Sequence, residues 1–126
     1  MKVILSRIEL ANLIGSIQSV VSNKPAIPIL ANVLIEARQG LLTVSATDLT
    51  VSMRAQMEAN TVEEGAITLP ARRFFQLIRE LTVPEIELRT TTDEIAYVQA
   101  GTSEFRLNGI NHSEFPSLPD LAQGEH

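Results

Sequence analysis

The sequence predicts an α+β fold: two strand–helix–three-strand units, with two helices on one face of antiparallel sheets. Three observations predict it. Residues 71–81 carry Phe74, Leu77, Ile78 and Leu81 at i, i+3, i+4 and i+7, one apolar stripe of helical period. Residues 49–57 place Leu49, Val51, Met53, Ala55 and Met57 in alternation with Thr50, Ser52, Arg54 and Gln56, the period of a strand with one buried and one wetter face. The order of periods in the first half of the chain then recurs in the second, as a repeat of pattern with little residue identity.

Taken in order, residues 2–5 form a short apolar strand. Ser6-Arg7-Ile8-Glu9 has the form of a capping box. Leu10, Leu13, Ile14, Ile17, Val20 and Val21 continue a helical stripe, and Asn12, Ser16, Gln18 and Ser19 take the other faces. Asn23-Lys24-Pro25 ends that helix, because the residue before a proline avoids the α region. Residues 29–37 and 41–46 read as strands around the turn at Gln39-Gly40, and 49–57 as a third. After an expected loop at 58–65 the pattern restarts. Residues 66–69 are a strand running straight into the helix 71–81, with Pro70 suited to the helix start. Strands at 85–90, 95–99 and 104–108 follow, and from His112 onward the chain looks irregular. Helices alternating with runs of short strands place both helices against one face of antiparallel sheets.

The 126 residues suffice for one domain with a real core. An apolar content of 44% with 20% charged residues fits a soluble globular chain, and no apolar run approaches the roughly 18 residues that span a bilayer. Residues 1–22 are interrupted by polar side chains, unlike a signal peptide. The absence of cysteine removes disulfides, thiolate metal sites and a cysteine nucleophile, and fits a cytoplasmic location.

The net charge of −5 argues against a polyanionic partner until its distribution is considered. Residues 1–35 carry Lys2, Arg7 and Lys24 against Glu9, net +2, and residues 69–81 carry Arg72, Arg73 and Arg79 against Glu80, also net +2. Residues 36–68 are net −3 and residues 82–126 net −6. The helical regions are basic and the strand and loop regions acidic. Local potential, not net charge, decides contact with a polyanion.

Catalysis has little support. The two histidines, His112 and His126, fall in the irregular tail, and the chain has no GxSxG, HExxH, P-loop or GxGxxG motif. Asp48 after Thr47 reads as turn chemistry, and no spacing suits a metal or another cofactor. Arg72, Arg73 and Arg79 have a plain reading as a solvated helix face and a functional one as phosphate contacts. Base stacking is not expected, because Phe74 and Phe75 fall on the predicted core side. Phe105 and Leu107 read as sheet core near the end of the last strand, where an edge could pair with another subunit.

Four stretches together carry a family resemblance: Lys24-Pro25-Ala26-Ile27-Pro28-Ile29-Leu30-Ala31-Asn32, Thr47-Asp48-Leu49, Leu69-Pro70-Ala71-Arg72-Arg73-Phe74-Phe75, and Glu114-Phe115-Pro116-Ser117-Leu118. In their order and spacing the chain resembles the N-terminal domain of the bacterial sliding clamp, the β subunit of DNA polymerase III. The resemblance implies the DNA clamp fold, with three such domains per subunit and two subunits joined head to tail around duplex DNA. Helices would line the hole and sheets form the outside. It implies DNA contact by Lys24, Arg72 and Arg79, with Arg7 and Asn12 as further candidates, and a subunit contact through Arg73, Leu77, Leu81, Phe105 and Leu107. Glu104 stands where the family can have a basic residue.

The expected function is a processivity factor without a catalytic step and without cofactor or metal. The alternative is a scaffold domain of the same shape that never meets DNA; a small hydrolase would need a convergent polar pocket. Residues 1–121 are expected to form the clamp domain and 122–126 the start of a linker. The resemblance places contacts with DNA polymerase III and the clamp loader in later domains, and implies no membrane partner.

Overall fold

The structure, a computed structural model, describes residues 1–21 and 27–116. Lys24, Ser117, Leu118 and the expected linker 122–126 lie outside the described residues. Nine strands and two helices follow one another as β1 (Lys2–Ser6), α1 (Arg7–Ile17), β2 (Asn32–Arg38), β3 (Leu41–Thr47), β4 (Ser52–Glu58), β5 (Asn60–Glu63), β6 (Gly65–Pro70), α2 (Ala71–Glu80), β7 (Glu85–Thr90), β8 (Ile95–Ala100) and β9 (Ser103–Asn108), among the described residues. They build two wholly antiparallel sheets, ordered β5-β1-β7-β8-β9 and β4-β3-β2-β6.

The two expected units are present, but they exchange their first strands. β1 leads the first unit yet pairs with β7 of the second, from Lys2 opposite Arg89 to Ser6 opposite Glu85. β6 leads the second unit yet pairs with β2 of the first, from Asn32 opposite Pro70 to Ala37 opposite Gly65. Apart from β5, the sheets are therefore copies of one plan, and neither half can complete its sheet alone.

α1 and α2 pack against each other and against the β4-β3-β2-β6 sheet, so both lie on one side. They run antiparallel. Arg7 at the start of α1 donates to Ile78 O near the end of α2, whereas Gly15 near the end of α1 faces the Phe75 ring. Between helices and sheets lies one core, with Leu10, Ile14 and Ile17 from α1, Phe74 and Ile78 from α2, Val3, Ile86, Leu88 and Val98 from one sheet, and Val33, Ile35, Leu42, Val44, Ile67 and Leu69 from the other. Phe74 is 0% exposed, and burying a side chain of that size stabilises the fold by about 2–3 kcal/mol. Ser6 caps α1 by accepting the Glu9 N–H at 3.3 Å.

Four expectations are corrected. Residues 29–31 are not strand but part of the 3₁₀ turn Pro28–Ala31, begun by Pro28, and β2 starts at Asn32. The alternating run 49–57 is strand only from Ser52. Before it, Thr47 Oγ1 accepts the Leu49 N–H, and Asp48 Oδ1 accepts those of Thr50 and Val51. These side chains hold Leu49 at φ 77 and leave it 58% exposed, so its place in the alternation reflects no buried face. The expected loop 58–65 contains β5, which pairs with β1 as an edge strand. Its polar sequence hides it, because an edge strand pairs through its backbone with little burial. Finally, α1 ends at Ile17 and yields to the 3₁₀ turn Gln18–Val20, short of the apolar stripe's end at Val21.

After β9 the chain returns to the other sheet. Ile110 bridges Thr68, their N–H and C=O groups exchanging bonds of 3.0 Å in both directions. Gly109 permits this approach, since a Cβ there would stand 2.7 Å from Thr68 O.

Candidate nucleic-acid interface

The helices bury one side in the core and expose the other. Residues exposed on α2 are Arg72, Arg73, Gln76, Arg79 and Glu80; on α1 and the turn after it they include Glu9, Asn12, Ser16, Gln18 and Ser19. Arg72, Gln76 and Arg79 sit one turn apart along α2, as their spacing predicts. With Gln18 and Phe75 they line a shallow groove of about 380 Å³ along the seam between the helices. Among the described residues, Arg72 and Arg79 form no ion pair; Glu80 follows Arg79 in sequence but takes no part in one. Among the described residues, no carboxylate neutralises their charge on this face.

The other candidates are placed differently. Arg7 is half-buried; its Nη1 donates to Ile78 O at 3.5 Å, and its Nε is buried without a partner among the described residues. Its charge complements the carbonyl end of α2 and stands off the exposed groove. Asn12 is exposed but lines a separate hollow with Glu9, Ser16 and Gln56, toward β4. Lys24 lies outside the described residues.

Phe75 packs against the core, as its place beside Phe74 leads one to expect, but only in part: it is half-buried and also forms the groove wall, against Gly15 and beneath the Arg79 guanidinium, which stands 5.1 Å from the ring centroid. The signal was in the sequence: an aromatic residue followed by a cation at i+4 shares its helix face.

A second cluster lies on the far side of α2. Leu77, Leu81, Phe105 and Leu107 are half-buried and pack at the margin of the core. Arg73 and Arg106 line one hollow with Leu107 and Asn108. β9 is the terminal strand of its sheet. Glu104 on this strand is already engaged, since its carboxylate pairs with Arg89, which also pairs with Glu87 at 3.6 Å and lies over Tyr97.

Among the described residues no three His, Cys, Asp or Glu side chains come together to hold a metal ion, and no helix is long and apolar enough to cross a membrane. Asp48 does the turn chemistry expected of it. Hydrogen bonds from the Val51 and Thr50 N–H groups hold its carboxyl below the usual carboxylate value.

Paired helices with a cationic outer surface, backed by two sheets of one repeated plan, define a clamp-type domain. Residues 1–119 match the family of the DNA polymerase III beta subunit, N-terminal domain, and the chain belongs to that family. It is 48% identical over 121 residues to the beta sliding clamp of Chlamydia muridarum, covering 96% of this chain and 33% of that protein. The crystal structure of the DNA polymerase sliding clamp from Caulobacter crescentus superposes with a TM-score of 0.89 at 33% identity, over 94% of this chain and 32% of that one. The sliding clamp from Bacillus subtilis shares the fold with a TM-score of 0.91 at 24% identity, over 94% and 33% of the respective chains. The chain thus spans about a third of the length of the curated relatives it matches.

Proposed function

We propose that residues 1–121 act as the N-terminal domain of a ring-shaped sliding clamp, a non-catalytic processivity factor that encircles duplex DNA and tethers the replicative polymerase. One observation carries this reading: Arg72 and Arg79 stand exposed and unpaired among the described residues, on the outer face of two adjacent helices. Phosphate contacts of this kind carry no sequence information, so a duplex can move past them while topology retains the ring. Lys24 and Asn12 extend the DNA-facing set, and Arg7 supports it by closing α2. Pairing of Arg72 and Arg79 with Glu80, or their burial against a sheet, would favour the scaffold alternative; their exposure, with no ion pair among the described residues, supports the DNA-facing reading.

The β9 edge, with Phe105, Leu107, Leu77 and Leu81 half-covered and Arg73 beside them, serves as the contact for a second subunit joined head to tail. Polymerase and clamp-loader contacts belong to the later domains of the subunit, which works in the cytoplasm. The test is retention on DNA by the full-length subunit. On a closed circle the ring should survive salt that strips it from linear duplex, and Lys24→Ala with Arg72→Ala should weaken the salt-sensitive contact. Equal retention on circles and linear DNA overturns encirclement; unchanged contact in the variants overturns the DNA-facing assignment.

A further inference from the structure

We propose that Phe75 is a positioning residue for DNA contact, holding the guanidinium of Arg79 in place at the groove between the helices. This inference rests on the reading of that groove as DNA-facing.

The geometry assigns the role from two contacts of the ring. The edge of the ring lies against Gly15 of α1, where a Cβ would be 3.6 Å from Phe75 Cε1. The ring thus packs in the seam between the helices. Over the ring, Arg79 places its guanidinium carbon 5.1 Å from the centroid. Arg72, three residues before Phe75, and Gln76 line the same groove. Phe74 and Ile78 are fully buried beneath α2, whereas Phe75 packs against the core only in part and keeps some of its ring exposed at the groove.

A ring face attracts a cation without using any of its N–H donors. Arg79 can therefore rest on Phe75 and keep its donors open to a phosphate oxygen. An ion pair with a carboxylate would use those donors and cancel the charge. Arginine otherwise loses much rotamer freedom when fixed against a ligand. A side chain already held in place avoids part of that loss, which corresponds to about a two- to tenfold difference in affinity.

The experiment measures binding of a random-sequence duplex to the full-length subunit as a function of salt, for Phe75→Leu, Phe75→Tyr, Arg79→Ala and Phe75→Leu/Arg79→Ala. Phe75→Leu removes the ring but not the charge. It should weaken binding about two- to tenfold with the salt slope retained. Phe75→Tyr keeps the ring and should bind like the parent. In the Arg79→Ala background, Phe75→Leu should cost nothing further. Thermal unfolding of each variant separates loss of fold from loss of contact, and if Phe75→Leu unfolds, the comparison of Phe75→Tyr with Phe75→Met takes its place. Equal weakening by the ring substitution with and without Arg79 overturns the positioning role. If Arg79→Ala itself leaves affinity and salt slope unchanged, the DNA-facing reading of Arg79 fails instead.

Discussion

Removing the charge of Arg72 and Arg79 should change the salt dependence of duplex binding more distinctly than its strength at any one salt concentration. Each phosphate neutralised by a cation contributes about 0.9 to the slope of log affinity against log salt. Between roughly 50 and 200 mM, a fourfold change, one such contact is worth about a 3.5-fold loss and two about a 12-fold loss. The two arginines are seven residues apart on α2, a rise of about 10 Å, so each can meet its own phosphate. Arg72→Ala and Arg79→Ala should each lower the slope by about 0.9 per copy of the chain, and the double variant by about 1.8. Consequently, the advantage of the parent over the double variant should shrink about 12-fold across that range for each copy of the chain that contacts the duplex.

Fluorescence anisotropy on a labelled duplex reads these slopes directly. Both sites are exposed on a helix, and alanine propagates a helix at least as well as arginine, so folding should be preserved and unfolding curves can check it. Parallel lines for parent and double variant would refute the reasoning, because contacts that release no counterions are not phosphate contacts. A slope that falls for Arg72→Ala alone would leave Arg79 as a solvated side chain.

Three further outcomes test the fold that presents this face. Thr68 is fully buried, accepts from Asn32 Nδ2 at 3.1 Å and donates to Ile110 O at 2.9 Å. Thr68→Val leaves the Asn32 amide without its partner and should cost about 1–3 kcal/mol in urea denaturation, with Asn32→Ala adding little once Thr68 is gone. Two glycines should respond in opposite senses to alanine. Gly15→Ala should raise Tm through helix propensity worth up to about 1 kcal/mol, since the new methyl makes ordinary contact with Phe75, whereas Gly109→Ala drives a methyl to 2.7 Å from Thr68 O and should lower Tm. Asp48→Ala should lower Tm at neutral pH. The folded-state pKa of Asp48 is depressed, so its contribution is complete above the ordinary value of 3.8 and disappears as pH falls below it. The Tm gap between parent and variant should therefore close only in acid.

Elements whose side chains are sorted by burial were legible in the sequence. The α2 stripe is an example: Phe74 and Ile78 are in the core, and the arginines are out. The exchange of β1 and β6 was not legible, because pairing choice between sheets leaves no mark on a strand's own periodicity. β5 was missed for a related reason, as Asn60–Glu63 gains its order from backbone bonds to β1. Leu49 misled because alternation cannot show that Thr47 and Asp48 will capture the next three N–H groups. At the site, the spacing of Arg72 and Arg79 sufficed to place them on one face, but the seating of Phe75 depended on its packing against the other helix, which its own periodicity does not show. Arg7 shows the converse: a charge on the right helix turns toward the neighbouring helix end and not toward the groove.

The strand exchange also bears on how a duplex would be held. Because each sheet needs a strand from the other unit, the helices cannot separate without breaking a β ladder. Their outer surface can therefore be decorated freely, since none of its exposed side chains is needed for the core. α1 offers mainly neutral groups there, Asn12, Ser16 and, just beyond it, Gln18 and Ser19, while α2 supplies the cations. A few fixed charges among neutral hydrogen-bonding groups make a shallow potential: enough to orient a polyanion, too little to lock it at one register. Adding arginine at Ser16 and Ser19 would deepen that potential without touching the core. On that logic it should tighten duplex binding while slowing diffusion along the duplex, and a single-molecule sliding measurement that found tighter binding with unchanged diffusion would show that register is set elsewhere than at this face.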